Sequence, residues 1–126
     1  MSLKTGEWKI NISGVEATLA IDSVDQNSGA VSGSITGPVS GSFTGLGSFE
    51  GGGIWDETSR TLTFLAVHQL YKGFLFSTPR NPEPGQDVVW TLAGFVQVTD
   101  LPTAIQNDGN ARRNVFGWFA QITEVA

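Results

Sequence analysis

The chain contains no cysteine, which excludes disulfides, thiol nucleophiles and thiolate metal sites. That absence leaves the redox compartment open, since a cysteine-free fold forms on either side of a membrane. Charge is also sparse. Only 15% of the 126 residues are charged, with a net charge of -5 and no basic patch or run of like charges, so neither nucleic acid nor an anionic membrane is an expected partner. No apolar run approaches the roughly 20 residues needed to span a bilayer. No segment sustains an i, i+3, i+4 apolar stripe, which excludes a helical core. The opening Met1-Ser2-Leu3-Lys4 lacks the apolar stretch of a signal peptide. The cytoplasm is therefore the default expectation, although a trimmed signal would leave the same start.

What the sequence does hold is 40% hydrophobic residues and 16 glycines, a balance that suits an all-β protein. Its length predicts one domain over residues 1–126 with a single sizeable core. Trp8 to Ser13 and Val15 to Asp22 mostly alternate apolar and polar residues, the period of a strand with one wet face. Thr61 to Val67 and Val115 to Ala120 are apolar on both faces, so a second surface must be covered, most simply by another subunit. Turn residues divide the chain into about eight strands, near 6–13, 15–24, 30–36, 48–56, 60–68, 71–78, 87–99 and 113–124. Short links such as Ser13-Gly14 and Asn27-Ser28-Gly29 favour antiparallel neighbours. The expected fold is an eight-stranded antiparallel up-and-down β-barrel, closed to avoid exposed edges. Nine glycines fall between Gly29 and Gly53, but Val31, Ile35, Phe43, Phe49 and Trp55 at odd positions mark strands rather than a linker. Pro79 to Gln86 and Asp100 to Arg113 are the longer loops, where binding function tends to reside.

Catalytic motifs are scarce. His68 is the only histidine, and with no nucleophile motif or ligand spacing around it, it reads as a pocket or surface polar group. Asp22, Asp25, Asp56 and Glu57 lie in or beside turns, where carboxylates are common, rather than forming a glycosidase pair. Gly51-Gly52-Gly53 lacks the ending of a phosphate loop, and Asn107-Asp108-Gly109-Asn110 lacks the alternating ligands of a calcium loop. No catalytic residue, metal or cofactor is expected. Trp8 reads as a plug for one end of the barrel, with Arg112 or Arg113 as candidate stacking partners.

The segment Thr5-Gly6-Glu7-Trp8 resembles the first strand of the avidin and streptavidin family, and more loosely the Gly-x-Trp of lipocalins. The order of further segments strengthens the resemblance. Gly29 to Thr36 looks like the third strand, Leu62 to His68 the fifth, Tyr71 to Phe76 the sixth, Val89 to Leu92 the seventh and Asn114 to Thr123 the last. This resemblance implies a meander barrel with a small-molecule site at one mouth, assembled as a dimer or tetramer through its later strands. It places Ile10 and Ile35 where the family holds polar contacts to biotin, His68 at the fifth-strand tryptophan, Ser13 near a ligand oxygen, and Trp90 on the pocket wall. Phe64 is expected nearby. The last-strand acid or amide has no counterpart among Phe116 to Phe119, and Asp100 to Arg113 lacks the aromatic residue that covers a neighbour's site.

The leading functional expectation is a non-catalytic, avidin-like barrel that binds a small, fairly apolar ligand at one mouth through Ser13, Ile10, Ile35, Phe64, His68 and Trp90. Biotin is a weak ligand at best, because each unmet buried polar group costs roughly 1–3 kcal/mol. The alternatives are a carbohydrate-binding β-module and a structural or interaction barrel filled by its own side chains. If Trp90 faces inward, then Val89, Thr91, Ala93 and Phe95 face outward. The last strand adds either Phe116, Trp118, Ala120 and Ile122 or Val115, Gly117 and Phe119. Both registers predict a homodimer or homotetramer joined through the later strands, with the first three facing water.

Overall fold

The structure is a computed structural model that describes residues 3–37, 40–45, 52–66, 69–99 and 113–125. Nine strands form one antiparallel sheet: β1 (Gly6–Ile12), β2 (Val15–Val24), β3 (Val31–Thr36), β4 (Gly41–Phe43), β5 (Gly53–Asp56), β6 (Thr61–Ala66), β7 (Gln69–Thr78), β8 (Asp87–Thr99) and β9 (Arg113–Val125). Their order is β4-β3-β2-β1-β9-β8-β7-β6-β5. The first and last strands of the chain are thus neighbours, with Ile10 opposite Ala120, as an up-and-down barrel requires.

The count of nine corrects the expected eight, and the difference lies at one place in the wall. β4 pairs with Gly33 to Ile35 of β3, whereas Ile54 of β5 bridges Ala30 just below them. Both short strands run antiparallel to β3, so they occupy successive stretches beside it. Gly53 N–H donates to Gly45 O at 2.5 Å and Trp55 N–H to Gly29 O at 2.7 Å, which nearly closes the sheet into a barrel. Part of the expected strand 48–56 lies outside the described residues.

Alternation sets the interior. Trp8, Ile10, Leu19, Ile21, Val31, Ile35, Leu62, Phe64, Tyr71, Leu92, Val96 and Trp118 are among the buried core residues, each on the inward parity of its strand. The β1–β2 hairpin turns through Ser13 (φ 49°) and Gly14 (φ 93°), two left-handed residues that match a type I′ connection. The Asn11 side-chain oxygen accepts the Gly14 N–H at 2.8 Å.

Two cross-strand glycines shape the far wall. Gly73 of β7 faces Gly94 of β8, and Gly94 faces Trp118 of β9. A methyl group on Gly73 would sit 2.6 Å from the Trp118 indole, and one on Gly94 would sit 1.9 Å from the Lys72 carbonyl oxygen. The indole therefore fills the space beside Gly73, while the β7 backbone fills the space beside Gly94. Gly94→Ala is expected to cost at least the roughly 1–3 kcal/mol typical of overpacking. Gly117→Ala, whose added carbon would meet nothing closer than 4.0 Å, should stay within about 0.5 kcal/mol of the parent. Urea midpoints compare the two, and equal midpoints would contradict the packing argument.

Candidate functional site

The two ends of the barrel differ in construction. At the lower end, the N-terminal segment buries Leu3 in the core. The Trp8 indole donates to Lys4 O at 3.0 Å. Glu124 accepts from the Trp90 indole through one carboxylate oxygen and pairs with the Lys4 ammonium through the other. Trp8 is thus buried at an end tied by Lys4 and Glu124. Of the two expected arginine partners, Arg113 opens β9 opposite Thr99, at the upper end and away from Trp8. Arg112 lies outside the described residues.

The middle of the barrel holds an aromatic stack. Phe43 and Phe64 rings lie 4.5 Å apart at 20°, and Phe64 and Tyr71 lie 4.6 Å apart at 9°. Trp118 meets Phe64 and Tyr71 edge-on at 6.2 and 5.9 Å, the arrangement that aromatic quadrupoles favour. Its indole N–H donates to Phe95 O at 2.8 Å, and the Tyr71 hydroxyl donates to the Gln69 side-chain oxygen at 2.5 Å. Both buried polar groups are therefore met.

Above this stack, at the upper end, a groove of about 310 Å³ is lined by Ile12, Ser13, Val15, Gln69, Val96 and Phe116. Four aliphatic or aromatic walls and two polar groups form this mouth. Ser13 lies on its rim, held by its N–H to Gly117 O at 3.0 Å. Phe64 is not in this lining, although it shares a cross-strand row with Tyr71, Val96 and Phe116. Ile10 and Ile35 are buried in the core. Trp90 faces inward and is half-buried against the core, but it pairs with Ser77 and Ile122 toward the lower end. The expectation that Trp90 and Ser13 share one mouth is thereby corrected. Inward parity alone does not say which end a residue occupies. His68 lies outside the described residues.

Gln69, Val96 and Phe116 were not expected at the mouth from the sequence, which offered Phe116 only for the outer apolar stripe. Val96 shares parity with Trp90 and Leu92, and Phe116 shares it with Trp118, so the alternation held the signal. The turn carboxylates have local duties. Asp25 accepts the N–H groups of Asn27 and Ser28 at 2.8 and 3.1 Å. These bonds, that from Ser28 foremost, lower its pKa. Asp56 accepts those of Thr58 and Ser59. Among the described residues, no cluster of three or more His, Cys, Asp or Glu side chains could hold a metal ion. Searches against protein-family models, curated proteins and solved structures find no match to this chain.

Burial pushes the Tyr71 hydroxyl up from 10.0 to about 12, because the phenolate loses its hydration in the core. Unfolding lowers that value, so the resulting stability is full below pH about 10 and is lost as pH rises through about 12. Tyr71 is the only tyrosine, which makes the alkaline absorbance change easy to assign. Its midpoint in the folded protein is expected near 12, and a midpoint near 10 would show an open route for water to the ring.

Proposed function

We propose that this chain is a non-catalytic interaction barrel, avidin-like in its wall, that works as a homodimer or homotetramer joined through the outer face of β7, β8 and β9. One observation carries the reading. Phe74 and Phe76 of β7 and Phe119 of β9 stand 50%, 48% and 45% exposed on that face, with Leu70 and Val115 beside them. Phe74, Ala93 and Phe119 form one cross-strand row, and Phe95 lies half-buried in the next.

A second copy fits this patch better than lipid does. A membrane barrel is apolar all around its girdle, whereas here the outward positions of β1 and β2 include Lys9, Asn11, Glu16 and Thr18. Ten residues of β7 at roughly 3.4 Å each, across three strands at about 4.8 Å, give a projected face near 500 Å². With the relief of protruding rings this approaches the ~800 Å² per partner of a standard interface. A symmetric dimer would place the same rings against each other.

The interior aromatic stack supports a barrel filled by its own side chains, which moves recognition to the surface. A second reading rests on the upper groove, whose apolar walls and Gln69 amide suit a small apolar ligand at the mouth. Biotin is expected to bind weakly or not at all there, because Ser13 and Gln69 are the two polar side chains of its lining, too few to meet the ligand's ureido group and carboxylate.

Light scattering on the purified chain at about 50 µM should report an oligomer. Phe74→Glu should raise the dissociation constant by at least about tenfold, since it buries a charge against a partner's rings. A wild-type monomer at that concentration would defeat the assembly. Calorimetry with biotin should show a dissociation constant no tighter than about 1 µM, and a nanomolar value would reverse the reading of the mouth.

A further inference from the structure

We propose that a groove on the outer face of β9, β1, β2 and β3 is a binding site for an extended, neutral, β-linked oligosaccharide. The groove measures about 610 Å³ and includes Lys9, Asn11, Thr18, Thr36, Phe119 and Gln121 in its lining. It lies apart from the barrel mouth, on the outer wall beside the proposed assembly face, which it meets at Phe119. Two cross-strand rows form it. Gln121 faces Lys9, Lys9 faces Thr18, and Thr18 faces Thr36. Phe119 faces Asn11, and Asn11 faces Glu16.

Neighbouring strands lie about 4.8 Å apart, so side chains along the first row recur at close to the length of one sugar ring in an extended glycan. Four strands give room for about three rings. The chemistry of the row also suits a polyol, which offers donors and acceptors together. The Asn11 oxygen is taken by the Gly14 N–H, which leaves its amide N–H groups to donate. Gln121 donates to Thr91 Oγ1 at 3.2 Å, which leaves its carbonyl oxygen to accept. The hydroxyls of Thr18 and Thr36 do either.

Lys9 and Glu16 bring one charge of each sign. The groove therefore selects neither an anionic nor a cationic ligand. At its β9 end stands Phe119, an exposed ring that can stack on the C–H face of a pyranose. A purely apolar ligand would strand these polar groups without water, which disfavours it.

The test is a titration of the ¹⁵N-labelled full chain with cellohexaose, with mannohexaose and with glucose. Amide shifts are expected at Lys9, Asn11, Thr18, Thr36 and Gln121, with one of the hexasaccharides binding at least about tenfold more tightly than glucose. Thr36→Val and Thr18→Val should each weaken that hexasaccharide about fivefold or more while the melting temperature stays unchanged. Two variants are used so that a folding defect in one leaves the other informative. The proposal is overturned if neither hexasaccharide shifts these amides at about 10 mM. It also fails if the shifts centre on Ile12, Gln69 and Phe116, or if both variants bind as the parent does.

Discussion

The contact on which the barrel depends is the Trp118 indole lying over Gly73, beside the close approach of Gly94 to the β7 backbone. It fixes three strands at once, because β7 and β8 approach closely only where side chains are missing and β9 supplies the ring that fills the gap. From Trp118 the packing continues edge-on to Phe64 and Tyr71 and then face-on to Phe43. Phe43 in turn presses against the glycines of the seam, since methyl groups on Gly33 and Gly53 would lie 2.9 and 2.8 Å from its ring. Glycine and aromatic ring are thus complementary halves of one core. Interiors at crystal-like density tolerate little change in either half.

Much of this architecture is legible in the sequence because strand period is a local property. Alternation placed the inward residues of β1 and β2, and the short Ser13-Gly14 link marked the first hairpin. What escaped was the split of one wall position into β4 and β5. A strand of three residues, Gly41-Ser42-Phe43, has only one large apolar side chain and leaves no period to detect. The sealing of the lower end escaped for a different reason. Lys4 and Glu124 lie at opposite ends of the chain, so their pairing exists only once β1 and β9 are neighbours.

The candidate site shows the same division. The resemblance puts Ile10, Ile35, Phe64 and Trp90 around a pocket, and all four face inward in the structure. Parity is blind to height along the barrel axis, which depends on the register of every hairpin between two residues. Trp90 and Ser13 therefore separate to opposite ends although both belong to the barrel's openings. The mouth residues Gln69, Val96 and Phe116 gain their role only from the same accumulated registers.

The outer surface shows how one sheet can serve two kinds of contact. A single cross-strand row runs from Phe76 and Thr91 through Gln121 and Lys9 to Thr18 and Thr36. Its β7 end is aromatic and its β1–β3 end is polar, with the change at β9. Even Thr91, on the outward parity of β8, is buried, because the rows on either side shield it. At Thr91 the β8 wall is therefore dry on its outer side as well before any partner arrives. Backbone bonds there face little competition from water, which stiffens the pairing of β7, β8 and β9. An apolar face on a rigid support loses little conformational entropy on association, which favours a specific contact over a loose one. The polar end keeps its hydration and so remains available to ligands that exchange one set of hydrogen bonds for another. Because β9 belongs to both regions, Phe119 is the residue at which contact with a second copy and contact with a polar ligand meet.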